Sequence, residues 1–344
     1  MDAMRAIFLA VLLIAYLSSL QGQQPAATTP EEDLAKAHQA LEHDKPDEAI
    51  TLLQQLAAAQ PSVKGVQHEL GLAYYRTGKL MEAKSAFAQA IEQDAADRES
   101  VQLEGLVLYR LGQPAAAIPY LEKVLQWMPN ANTDAKYVLG LCYLNATRYD
   151  DARASFAAQF GLAADSGAAY LLLGTMLRHA NLPELAAEQA QKALDKTPGL
   201  PMAHFMLGEV ALFKSDVDRA VTELEAERSI NPDYAPVYDR LGDAYLRAGK
   251  LDEAQQALTK AIALDTSLTG AFIKMGKVLL RRQDLQTAIM YLKHAEKMDP
   301  EDFTTHTLLS QAYHRVGMEE DAKRENALGS KIHAENQLVL EPGK

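Results

Sequence analysis

Nine alanines, Ala49, Ala83, Ala117, Ala152, Ala186, Ala220, Ala254, Ala288 and Ala322, recur along the chain at intervals of 34 residues, with one interval of 35. Twelve positions before each stands another small residue: Ala37, Gly71, Gly105, Gly140, Gly174, Gly208, Gly242, Gly276 and Ser310. Between these markers the apolar positions keep helical spacing. In the segment 64–97, Gln67, Leu70, Gly71 and Tyr74 lie at i, i+3, i+4 and i+7, one face of a helix. Thr77-Gly78-Lys79 predicts a turn, and Ala83, Phe87 and Ala90 mark the face of a second helix. Pro61, Pro129, Pro198, Pro232 and Pro300 close most second helices, because proline lacks the N–H and its ring clashes with the preceding turn. A fixed period of this length predicts stacked helix pairs, each packed on its neighbours, with one core running through the array. Such an array offers a long binding surface, not a catalytic pocket.

This register resembles the tetratricopeptide repeat family over residues 30 to about 336. The family pattern places Gly or Ala at position 8, Tyr at 11, Ala at 20, an aromatic residue or Leu at 24, Ala at 27 and Pro at 32. The units read as 30–63, 64–97, 98–131, 133–166, 167–200, 201–234, 235–268, 269–302 and 303–336, followed by a tail at 337–344. Position 11 holds Tyr74, Tyr143, Tyr245 and Tyr313; position 24 holds Leu53, Phe87, Leu121, Phe156, Leu224, Leu258 and Leu292. The resemblance implies an all-α, right-handed superhelical solenoid of antiparallel helix pairs. Asn132 is an extra residue between the third and fourth units. The fourth also departs at Gln159 and Gly161, which predicts a looser junction there. The last unit has Ser310 and Asn326 at usually apolar sites and a polar second helix, as a solvent-facing cap requires.

The first residues follow a different pattern. Ile7 to Leu20 is apolar apart from Tyr16, Ser18 and Ser19, too short to span a bilayer, which takes about 20 residues. It predicts a signal peptide over residues 1–22, cut between Ser19 and Gly22, with a linker at 23–29. An uncleaved anchor is the main alternative and would be the chain's one membrane contact. A buried first helix is the third. Export, with a bacterial periplasm as the setting, suits a chain whose lone Cys142 has no intrachain partner. The net charge of −12 argues against nucleic acid as a partner.

Little else carries chemistry. The nine histidines show no metal-ligand spacing, and no metal or cofactor is expected. Gly78-Lys79 and Gly276-Lys277 lack the further glycine and the Ser/Thr of a phosphate loop. Asn145-Ala146-Thr147 matches a glycosylation sequon but is expected inside a helix. Cys142 precedes the core Tyr143 and reads as a packed thiol. No enzyme is implied.

Function should then lie on the free face of the first helices, at positions 2, 5, 9, 12 and 13, which in the family lines a concave surface. Position 13 holds Arg76, Arg110, Arg247, Arg281 and Arg315, with Arg178 on the same face. These arginines could bind carboxylates or phosphates, or they could be solvated or paired with the acids of that face. Its middle is apolar: Tyr137, Leu141, Leu144, Leu171, Met202, Phe205, Leu212 and Phe213. Exposed together, they would suit an amphipathic peptide; alternatively the position 12 residues pack on the next unit. No unit carries the Lys and Asn at positions 5 and 9 that the family's chaperone-tail receptors use. The expectation is a scaffold that binds a peptide or protein partner. An accessory subunit recruiting substrate to an envelope enzyme or assembly machine, and a cell-wall carbohydrate binder, stay open beside it.

Overall fold

The computed structural model describes residues 29–128 and 133–340. The expected leader, most of the linker, Asn132 and the end of the tail lie outside them. The described residues form eighteen helices and no strand. They run in pairs: α1 (Pro30–Glu42) with α2 (Pro46–Ala59), α3 (Val66–Arg76) with α4 (Leu80–Gln93), α5 (Arg98–Arg110) with α6 (Pro114–Trp127). Next come α7 (Thr133–Asn145) and α8 (Tyr149–Gln159), α9 (Gly167–His179) with α10 (Pro183–Lys196), and α11 (Ala203–Phe213) with α12 (Val217–Ile230). The last are α13 (Ala235–Arg247) with α14 (Leu251–Leu264), α15 (Thr269–Arg281) with α16 (Leu285–Met298), and α17 (Phe303–Arg315) with α18 (Glu319–Leu340). The chain divides into two compact units, one ending at Arg148 and the other beginning at Tyr149. The division falls between α7 and α8, the two helices of one 34-residue segment. None of the described helices is long and apolar enough to cross a membrane.

Local chemistry explains the helix ends. Thr29 caps α1 in a reciprocal box with Glu32, and Pro46, Pro114 and Pro183 start helices at a site where proline costs nothing. Between the two helices of each repeat stands a left-handed residue at position 15: Asp44, Gly78, Gly112, Thr147, Asn181, Ser215, Gly249, Gln283 and Gly317 all have φ between 57° and 79°. That conformation ends a helix and redirects the chain. Glycine occupies four of these sites, where it adopts positive φ without steric cost.

The small residue at position 8 is explained by its partner at position 24. A Cβ on Gly208 would lie 2.6 Å from Leu224 Cγ, and one on Gly276 2.6 Å from Leu292 Cγ. The fully buried Leu224, Leu258 and Leu292 therefore rest directly on the backbone of the first helix. Position 7 is core as well. Leu70, Leu139, Leu173, Leu207, Leu241, Met275 and Leu309 are buried there, and in the third repeat the buried residue is Glu104, 2% exposed. Tyrosines at position 11 reach the preceding second helix: Tyr143 and Tyr245 donate to Glu122 and Glu225 at 2.6 and 2.7 Å, and Gln54 donates to Tyr74. Along α18, Ala322, Glu325, Gly329 and Ile332 form one buried stripe, Asp321 is half-buried and the other described side chains are exposed. The sequon asparagine, Asn145, is the exposed last residue of α7, with Ala146 and Thr147 in the turn that follows.

Candidate functional site

The position 13 arginines are not an open ladder. Arg76, Arg247, Arg281 and Arg315 each donate from Nη1 to a main-chain carbonyl of the preceding repeat, that of Leu41, Leu212, Leu246 and Leu280. Every acceptor sits at position 12, in the last turn of a first helix, where carbonyls lack intrahelical partners. Arg110 instead lies over the ring of Tyr75, the position 12 residue before it, at 4.9 Å. These arginines thus tie their own repeats, the second, third, seventh, eighth and ninth, each to the one before. Arg247 also pairs with Asp243 at 2.8 Å, as the alternative of pairing with acids of that face expected, but the partner that Arg76, Arg247, Arg281 and Arg315 share is backbone brought alongside by stacking. Position 12 side chains follow the packed alternative: Leu144, Leu212, Leu246 and Leu280 are buried.

The apolar residues also separate. Tyr137, 37% exposed, and Leu141, half-buried, lie on α7 in the first unit. In the second unit, Phe213 is 71% exposed at the last residue of α11, whereas Phe205 is buried. The expectation that the two rings share one exposed face is therefore corrected. Position 5 lies against the connection into the next repeat, and the Phe205 ring meets Tyr234 edge-on at 5.4 Å. Position 13 lies beyond the last packed turn.

Leu171, Arg178, Met202 and Phe205 nevertheless come together. They line a cleft of about 560 Å³ in the second unit, within the range of sites that hold a sizeable ligand. From α9 it takes Ala168, Leu171, Leu172, Thr175 and Arg178; from α11 and the turn before it, Leu200, Met202, Phe205, Met206 and Glu209; from beyond α12, Tyr234. Most of these are positions 2, 5, 9 and 12 of adjacent repeats. Phe160 and Leu162, just beyond α8, complete the lining with 58% and 36% of their surface exposed. Sequence reasoning did not place them there, although the neighbouring departures at Gln159 and Gly161 were a signal. Gly161, with φ of 67°, turns the chain so that both face outward.

The α11 side of the cleft is built on strain and a buried charge. Met202 is left-handed, with φ of 72°. The fully buried Glu227 carboxylate holds it, accepting the Met202 N–H at 2.8 Å and the Phe205 N–H at 3.2 Å, with Asn231 donating as well. A carboxylate from α12 thus caps the N-terminus of α11. At the polar end, Glu209 pairs with Arg240 at 3.1 Å and more loosely with Arg178 at 4.0 Å. Burial raises the Tyr234 hydroxyl above the usual tyrosine range, with Glu209 and Glu227 adding to the effect.

Elsewhere, Glu296, His306 and Glu325 bring potential ligand atoms within 4.8 Å of one another. Both ring nitrogens of His306 are already engaged, Nδ1 with Glu325 at 2.8 Å and Nε2 with the Pro300 carbonyl at 2.9 Å. The arrangement is that of a buried ion pair. Cys142 is buried, and burial pushes its thiol up to about 11, which leaves it unreactive at neutral pH.

Comparison with known proteins agrees with the geometry. Tetratricopeptide repeat models match residues 34–98, 68–135, 108–177 and 235–267, together about half of the chain. The chain belongs to the tetratricopeptide repeat family. Proteins of this family generally mediate protein–protein interactions and are typically non-enzymatic. Tetratricopeptide repeat protein 21A of Mus musculus is 26% identical over 137 residues, 40% of this chain and 10% of that protein. The peroxisomal targeting signal receptor of Candida albicans is 25% identical over 225 residues, 61% of this chain and 37% of that protein. The chain thus spans well under half the length of either relative. Among solved structures, the APC/C hetero-tetramer Cut9-Hcn1 aligns with a TM-score of 0.45 and 19% identity, over 87% of this chain and 58% of that one. Pseudomonas aeruginosa pilF aligns with a TM-score of 0.47 and 18% identity, over 59% of this chain and 97% of that one. Likeness at this level identifies no partner.

Proposed function

We propose that this chain is an exported, non-enzymatic scaffold that holds a segment of a protein partner in the cleft between α9 and α11. The observation that carries the reading is the cleft itself. Its floor is the groove face of two adjacent repeats, and its rim leaves Phe160 and Leu162 in water. Apolar side chains left exposed around a concavity mark an interaction site. The bulk acidity of the chain adds selection against polyanions.

A photo-crosslinking residue at Leu162, used in intact cells of the native host, tests the partner site. The expected result is one dominant crosslinked protein, lost when Leu171→Asp puts a charge on the cleft floor and helicity is unchanged. Equal crosslinking from Gln256 on α14, or capture that ignores Leu171→Asp, would sink the reading. Export is tested by N-terminal sequencing of the native protein. A mature start after about residue 22 supports cleavage; an intact Met1 on membrane-bound protein supports the anchor.

A further inference from the structure

The polar end of the cleft closes a run of alternating charges. Lys274 pairs with Asp239 at 2.7 Å, Asp239 with Arg240 at 2.9 Å, and Arg240 with Glu209 at 3.1 Å. The run ends on Arg178, whose Nε is 4.0 Å from Glu209, beyond hydrogen-bond range, and whose side chain is 42% exposed. With the buried Glu227 carboxylate on the α11 side, three cations face three carboxylates, and Arg178 is the cation of the run held least closely. Arg178 also differs from the position 13 arginines, because no main-chain carbonyl takes its guanidinium among the described residues. Tyr234 lines the same cleft, and its hydroxyl has no hydrogen-bond partner among the described residues. Thr175 offers no further donor, since its hydroxyl donates to the Leu171 carbonyl. The cleft therefore presents a half-exposed guanidinium with only a loose ion pair to Glu209, and a hydroxyl with no hydrogen bond, beside an apolar floor. An acceptor with negative charge complements them, and arginine recognises carboxylates with paired donors.

We infer that the partner segment is an amphipathic helix whose apolar face fills the floor over Leu171 and Phe205, and whose carboxylate, two turns further on, is held by Arg178 and Tyr234. The spacing comes from α9: Leu171 and Arg178 are seven residues apart, a rise of about 10 Å. A bound helix running alongside offers the same distance between residues i and i+7, with further apolar side chains at i+3 or i+4 on that face. This inference rests on the cleft being the partner site.

Two labelled synthetic peptides test it with the full chain. Both are alanine-based helices with leucine at i and i+4; one has glutamate at i+7 and its twin has glutamine. The glutamate peptide should bind about tenfold more tightly, as expected for a hydrogen bond to a charged group. The preference should shrink with added salt and vanish in Arg178→Ala, with Tyr234→Phe intermediate and both variants keeping the wild-type helical signal. Equal binding of the twins, or a preference that survives Arg178→Ala, overturns the inference and leaves the cleft reading standing. Tight binding of dodecanoate with no response to either peptide overturns the helix assignment. If neither peptide binds, nor neutral phenylnaphthylamine, the cleft reading itself fails.

Discussion

Glu104 should make the first unit less stable as pH rises, and replacing it should remove that dependence. It occupies a core position that is leucine or methionine in every other repeat but the first, it is 2% exposed, and its Oε2 has no hydrogen-bond partner. Burial, only partly offset by the charge of Lys84, pushes its carboxyl up to about 7. The folded chain then holds the proton to a higher pH than the unfolded chain does. Stability is greatest below the ordinary carboxylate value, falls as pH rises towards about 7, and stays low above it. The difference between the two values corresponds to about 3 kcal/mol. Glu104→Leu should therefore stabilise by about that amount at pH 8.5 and by much less near pH 5. Urea unfolding followed by circular dichroism, on wild type and variant at both pH values, measures it, and other titrating groups cancel in the difference. Repeat arrays can unfold in parts, so hydrogen exchange of the α5 amides provides a local reading of the same quantity. A gain of equal size at both pH values would refute the reasoning, because it would mean that the carboxylate is ionised throughout. No gain at either would mean that it is solvated.

Three further outcomes follow from the packing. Phe205→Ala should cost about 3–5 kcal/mol in a denaturant melt, while Phe213→Ala should stay within about 0.5 kcal/mol; similar values for both would contradict the assignment of one ring to the core and the other to the surface. Gly208→Leu should cost at least the roughly 1–3 kcal/mol of overpacking, since even a Cβ there collides with Leu224; an unshifted urea midpoint would remove the packing argument. For His306, burial lowers the pKa, but the hydrogen bonds to Pro300 and Glu325 and the nearby Glu325 and Glu296 charges outweigh it and raise it overall. That pair's contribution is present below the ordinary histidine value and lost as pH rises through the higher folded one. Exchange of the α17 amides should accelerate over that range, and His306→Gln should abolish the change.

The period, the two helices of each repeat and their core residues were legible in the chain. In a stacked array every contact is within a repeat or with its neighbour, so the spacing of Gly208 and Leu224 in sequence is also their packing in space. The groove face was legible as a set of positions, and Leu171, Arg178, Met202 and Phe205 do meet in one cleft. Sequence did not settle which members of that face stay in water, because periodicity names the buried face of a helix within its own repeat and not what the next repeat lays over the opposite face. Phe205 is buried against Tyr234, the last residue of its own repeat, in a cluster with Val237 and Leu241 of the next, while Phe213 is left exposed. Stacking also set four arginines against carbonyls 35 residues earlier, partners that have no side-chain signature to read. The left-handed Met202 belongs to the same class. Nothing local holds it there; the Glu227 carboxylate does, from the other helix of its pair.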